Sequence, residues 1–320
     1  MSKKMLMCNA GYNVGSILPD GSVNVCFDRK DENLGSIFTG FEWKNELKPC
    51  DKVHCQCPLW AFDENLNARA HGKEEKNIID WDHFFHWHIT YECQMRCNYC
   101  TVTSTDKRID TLDKLRKSKP IDVEAVMRTL DATGKRYHFS FIGGEPFMLP
   151  NMTELCAALT RKHYVSFNTN LCAMPLDFFE HVDASKVLTM HISLHIKPME
   201  VRRLTDDFLQ RAKIVHDAGV SNYYITTVAH PKLFPKIKEY TEFFGKHGIK
   251  FKLIPMLEGG FSTDGKVYPD SYTEEELAMI DAGWLDNYFP EKNAKGEKVN
   301  IKEFRPKNPD NTEHSFKENK

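Results

Sequence analysis

Between residues 85 and 255, stretches suited to strands alternate with stretches suited to helices, and that rhythm restricts the chain more than any other feature. Strand patterns fall at 85–91, 137–142, 165–168, 187–194, 223–228 and 251–255, with helical patterns at 123–130, 152–159, 178–181, 206–218 and 234–247 between them. Such alternation builds a parallel sheet with crossover helices, curved or closed, whose loops gather at the carboxyl ends of the strands. The expected architecture is α/β: a partial (β/α)6 TIM-like barrel over 83–258, preceded by a small cysteine-rich β module at 1–60 and a linker at 61–82. An extension over 259–320 adds a substrate-side loop, an acidic helix at 274–280 and a charged tail. In the amino-terminal region, Asp20-Gly21 between alternating runs is a hairpin signal.

Charge and hydropathy narrow the partners. Forty-three Lys and Arg against forty-five Asp and Glu leave a net charge of −2, so no broad basic field is available to a nucleic-acid backbone. No run approaches the eighteen apolar residues of a membrane span, and Lys3-Lys4 gives way to Cys8 and Asn9 before a signal-peptide core develops. A cytoplasmic location is expected. There thiols stay reduced, and ten cysteines, eight of them in the first hundred residues, point to metal or chemistry rather than disulfides.

Three of those thiols, Cys93, Cys97 and Cys100, share one polar loop with Glu92, Gln94, Arg96 and Asn98, directly after the first strand of the alternation. A zinc site would need a fourth ligand from elsewhere; a three-thiolate iron–sulfur cluster leaves one iron open. Gly143-Gly144-Glu145-Pro146 closes the second strand, where adjacent glycines permit close backbone approach and Glu145 offers a carboxylate. Side-chain alternation puts His191, Ser193 and His195 on one face of the fourth strand, and His86, His88 and Thr90 on one face of the first. Each set is read either as lining the lumen or as hydrogen-bonded core. Lys197, beside Pro198, either meets an anion or is solvated.

The Cys-x3-Cys-x2-Cys spacing, with Tyr99 before the last cysteine, resembles the signature of the radical S-adenosylmethionine superfamily, and Gly143–Pro146 resembles its GGEP motif. The resemblance implies a [4Fe–4S] cluster on Cys93, Cys97 and Cys100, with S-adenosyl-L-methionine at the open iron. It further implies that the backbone of Gly143, Gly144 and Pro146 and the Glu145 carboxylate meet the cofactor's amino group, that Tyr99, Asn170, Ser193 and His195 line it, and that a flavodoxin or ferredoxin supplies electrons. The pattern of Cys8, Cys26, Cys50, Cys55 and Cys57 resembles the auxiliary-cluster modules called SPASM and twitch, here in permuted order. One auxiliary [4Fe–4S] cluster on four of these five thiols is the first reading and structural zinc the second.

Position alone nominates the substrate-side residues. Cys172 follows a strand end and is either a hydrogen-atom donor, as in twitch-type epimerases, or a structural thiol. Glu258 follows the sixth strand, and Tyr268 is either a platform at the mouth or a packed aromatic. The first functional reading is an epimerase or oxidoreductase acting on a small polar substrate such as a sugar, cyclitol or nucleotide-sugar. The alternative is a maturase of a ribosomally made peptide. RNA modification and a metal-stapled binding protein rank below both.

Overall fold

The computed structural model describes residues 7–26, 32–49, 81–97, 99–100, 116–256, 266, 268 and 271–280. Six short strands come first: β1 (Met7–Cys8), β2 (Val14–Ile17), β3 (Ser22–Asn24), β4 (Asn33–Ser36), β5 (Gly40–Phe41) and β6 (Lys48–Pro49). The hairpin forms where Asp20-Gly21 predicts it, with Ile17 opposite Val23. Gly21 takes φ +84°, and the Asp20 carboxylate accepts hydrogen bonds from the Ser22 amide and hydroxyl.

Six longer-range strands then run parallel in chain order: β7 (His83–Thr90), β8 (Tyr137–Gly143), β9 (Tyr164–Thr169), β10 (Val187–Ser193), β11 (Tyr223–Val228) and β12 (Lys252–Ile254). Strands β2–β5 continue this same sheet, because β2 pairs in parallel with β7, Gly15 lying opposite Phe85, whereas β1 and β6 pair only with each other. Among the described residues the order is β12-β11-β10-β9-β8-β7-β2-β3-β4-β5, with β12 and β5 at its two ends. The result is an open, partial barrel.

The described α-helices are α1 (Val123–Ala132), α2 (Met152–Leu159), α3 (Phe178–His181), α4 (Ile196–Arg202), α5 (Thr205–Asp217), α6 (Ile237–Lys246) and α7 (Glu274–Met279). Asp122 starts α1 by accepting from the Ala125 amide at 2.9 Å, and Thr273 with Glu276 forms a capping box on α7. The helical pattern over 234–247 divides in two: a 3₁₀ stretch at Pro231–Lys236, then α6. Pro235 lacks the N–H that an α-helical interior requires.

The sheet has two chemically distinct faces. Phe85, Trp87, Phe139, Phe141, Phe167 and Ile192 pack against Val126, Leu130, Leu155, Leu159, Phe178 and Phe208 of the helices in one continuous core. Burying side chains of this size contributes roughly 1.5–3 kcal/mol each. Ile17, Val23 and Ile37 belong to that core too, and Phe41 and Trp43 stand 5.4 and 4.8 Å from the Phe85 ring. The amino-terminal strands, too poor in apolar residues for a core of their own, thus borrow the barrel's.

On the opposite face, strand registry builds polar rows. His86, Ser140, Ser166 and Thr189 lie opposite one another in turn, as do Asn168, His191 and Tyr224. His138 Nε2 lies 2.7 Å from the Ser166 hydroxyl, and His191 Nε2 2.8 Å from that of Thr226. Burial lowers these imidazoles from 6.5, to about 4 at His86 and His191 and about 3 at His138, so all three are neutral at pH 7.

Candidate functional site

At the carboxyl end of β7 the chain turns into the cysteine loop, and the loop after β8 is locked onto it. The Gly144 amide donates to Thr90 O and the Glu145 amide to Glu92 O, both at 2.8 Å. A Cβ on Gly143 would stand 2.2 Å from Thr90 O, and one on Gly144 would stand 2.2 Å from Glu92 O and 2.4 Å from Tyr91 O. Gly143 also takes φ +131°, a conformation that side chains disfavour. The sequence suggests that these glycines admit a ligand; the approach they permit in the structure is between two backbone segments. Glu92 secures the other side of the loop, its carboxylate accepting from Lys117 Nζ at 2.8 Å and the Ser118 amide at 2.7 Å.

Glu145 is 0% exposed. One carboxylate oxygen accepts from the Thr169 hydroxyl at 2.5 Å and the Phe147 amide at 3.3 Å, the other from the Asn170 amide at 2.7 Å. Burial pushes its pKa up from 4.5 to about 7, although all three hydrogen bonds pull the other way. In this arrangement Glu145 clamps the end of β9. The chain leaves β9 through Leu171, whose φ of +63° is strained for a branched side chain, and whose amide donates to Thr169 Oγ1 at 2.9 Å.

That clamp carries Asn170 to the cysteines. Gln94 Nε2 donates to Asn170 Oδ1 at 2.8 Å, and Asn170 Nδ2 stands 4.0 Å from Cys93 Sγ. Cys172 follows, buried, with its amide bonded to Asn170 Oδ1 at 3.1 Å. Burial raises its thiol well above the usual cysteine range, and nearby Glu145 and Cys93 add to the shift, so it stays protonated. Tyr99 lies between Cys97, Cys100 and the exits of β10 and β11. Its hydroxyl is 3.2 Å from His195 Nδ1, and its ring stands 5.7 Å from that of His195 and 5.8 Å from that of His230. Ser193 ends β10 on the polar face, half-buried.

Among the described residues no three His, Cys, Asp or Glu side chains group as a single metal ion would require. Cys93, Cys97 and Cys100 nevertheless supply the donor set of an iron–sulfur cluster, in which each thiolate binds its own iron. The polar neighbours Gln94 and Asn170 suit thiolates that need hydrogen-bond donors, so these residues fit the group.

The other sequence-nominated positions scatter. Tyr268 is buried with Ala229, Leu253 and Met256, its ring 4.6 Å from that of Tyr272; it is packed as an aromatic of a satellite core. The ladder of β1 with β6 sets Cys8 opposite Lys48, two positions before Cys50 in the sequence, and Cys26 follows β3, partly exposed. Cys50, Cys55, Cys57 and Glu258 lie outside the described residues. Of the residues that shape this region, Arg202 escaped sequence reasoning. It has no local signal, and it becomes a neighbour of Lys232 only through the fold.

A sequence profile described as the Radical SAM superfamily matches residues 87–244. The chain is 24% identical over 222 residues to the mycofactocin maturase MftC of Mycobacterium tuberculosis, in two strains, covering 67% of this chain and 52% of the relative. It thus spans about half the length of the curated relatives it matches. Among solved structures, "Native anSMEcpe with bound AdoMet" aligns at 18% identity and TM-score 0.43, over 65% of this chain and 61% of that one. The Streptococcus suis SuiB structure bound to precursor peptide SuiA aligns at 19% identity and TM-score 0.38, over 60% and 42%.

Proposed function

We propose that the chain, whose residues 87–244 match the Radical SAM superfamily, is a radical SAM maturase acting on a peptide precursor. The observation that carries the chemistry is the locked pair of loops: the glycines of one seat directly on the backbone that presents Cys93, Cys97 and Cys100. The similarity to a mycofactocin maturase supports a maturase over the sugar or cyclitol enzyme that sequence alone ranked first. When bound, the cluster and S-adenosylmethionine supply a 5′-deoxyadenosyl radical that removes hydrogen from substrate.

The chain's own residues divide the remaining work. Cys93, Cys97 and Cys100 hold the cluster. Glu145 fixes Thr169 and Asn170, so that Asn170 and Gln94 face the cysteine loop as polar neighbours. Tyr99, Ser193 and His195 orient the cofactor from the strand ends, with His195 and Tyr99 aligned by their hydrogen bond. Cys172 keeps its proton and stands beside the clamp, as a hydrogen-atom donor to a substrate radical would. The approach of Cys8 to the chain just before Cys50, with Cys26 nearby in sequence to β3, supports an auxiliary [4Fe–4S] cluster in the amino-terminal strands. A flavodoxin or ferredoxin supplies the electrons.

The test is anaerobic. Reconstituted protein with a strong reductant should convert S-adenosylmethionine to 5′-deoxyadenosine, and replacing Cys93, Cys97 and Cys100 together with Ala should remove about four irons and stop the conversion. Peptide substrates should accelerate it more than sugars do. A triple variant that keeps its iron, or acceleration by sugars alone, overturns the reading.

A further inference from the structure

Beside the cysteine loop lies an open cavity of about 270 Å³, and of the residues that line it only Tyr99 has a role above. Its walls come from the cysteine loop, from α4 after β10, and from the segment after β11. Four cations line it, Arg96, Lys197, Arg202 and Lys232, and among the described residues no acidic side chain does. In a chain with slightly more acids than bases, that segregation is a local departure.

The four are not equivalent. Arg96 donates to the carbonyls of Cys93 and Met95 and so braces the cysteine loop. Lys197 pairs with Glu200 at 2.9 Å. Arg202 and Lys232 are exposed, and among the described residues neither makes an ion pair. His230 adds no charge, since burial lowers its pKa. The rest of the lining is carbon: Pro198, Leu233, and Val201, which is 85% exposed at the rim.

We infer that this cavity binds an acidic side chain of the peptide substrate, with Arg202 and Lys232 meeting the carboxylate and the carbon wall meeting the neighbouring aliphatic residue. A volume of about 270 Å³ has room for a side chain and its neighbour. A partly desolvated carboxylate between two cations is worth more than an exposed pair, because the apolar wall lowers the local dielectric. Tyr99, shared by the cavity and the cysteine loop, places that anchor next to the reacting centre. This assignment rests on the peptide reading above.

The probe is a pair of dansyl-labelled pentapeptides, Leu-Glu-Val-Glu-Leu and its Gln twin, titrated into anaerobically reconstituted protein and read by fluorescence anisotropy. The acidic peptide should bind at least tenfold more tightly than its twin at low salt. Arg202→Gln with Lys232→Gln should erase that preference, and the Glu double variant should reverse it. Equal binding of the twins, or a preference that survives the Gln variant, overturns the inference. So does weaker S-adenosylmethionine binding by that variant without peptide, which would give the cavity to the cofactor. Free glutamate competing as well as the peptide would overturn the peptide anchor. Loss of 5′-deoxyadenosine formation in wild type would sink the radical chemistry alone, since the anisotropy does not depend on it.

Discussion

Two charged clusters sit on the same carboxyl-terminal rim of the sheet and have opposite fates. Around Glu145 a single carboxylate is sealed from solvent and answered by three donors. Around Arg202 and Lys232, two exposed cations face a cavity with no carboxylate among the described residues of its lining. A carboxyl group that the fold has sealed and bonded holds the scaffold in place; a charge left facing open space is available to a ligand. The distinction predicts which substitutions damage the protein and which damage only recognition.

The largest effect should come from the closed cluster. Gly144→Ala drives a methyl into two carbonyl oxygens of the cysteine loop, and no flexible side chain can move aside. The expected cost is about 3 kcal/mol or more, read as a fall in melting temperature together with lost iron binding. A variant with unchanged stability would show that the two loops are not locked.

A middle-sized effect separates burial from charge. Because the pKa of Glu145 is raised in the fold, from 4.5 to about 7, its stabilising contribution is complete below pH 4.5 and fades as pH rises through 7. Glu145→Gln cannot ionise. Its melting temperature relative to wild type should therefore climb between pH 5 and pH 8. The buried histidines have the opposite sign: their lowered pKa values make stability full above pH 6.5 and weaker toward pH 4. They are common to both proteins and cancel in the difference. A difference that stays flat across this range would mean that Glu145 is not enclosed.

The smallest effect belongs to the open cluster. Arg202→Gln with Lys232→Gln should shift stability by no more than roughly 0.5 kcal/mol, measured by urea denaturation. A larger loss would make these cations part of the scaffold and erase the contrast.

Most of the rim was legible one strand at a time. The runs ending at Thr90, Gly143, Thr169 and Ser193 announce themselves by alternation, and Cys93 and Gly143 stand where strand gives way to loop. α4 was not legible, because Lys197-Pro198 reads as a loop. Pro198 is in fact the third residue of the helix, in the first turn, where its missing N–H has no acceptor to lose. Nor did Glu145 announce its burial, since two of its three donors are 24 and 25 residues away.

The sequence by itself determined the parallel sheet, the cysteine loop at its first exit and the glycine turn at its second. These follow from periodicity and backbone sterics, which act over a few residues. Only the tertiary structure decided that the glycines meet backbone, that Glu145 is sealed, that the amino-terminal strands share the barrel's core, and that Arg202 and Lys232 face one cavity. Those outcomes depend on which distant segments exclude water from one another, and burial of that kind is a property of the assembled sheet.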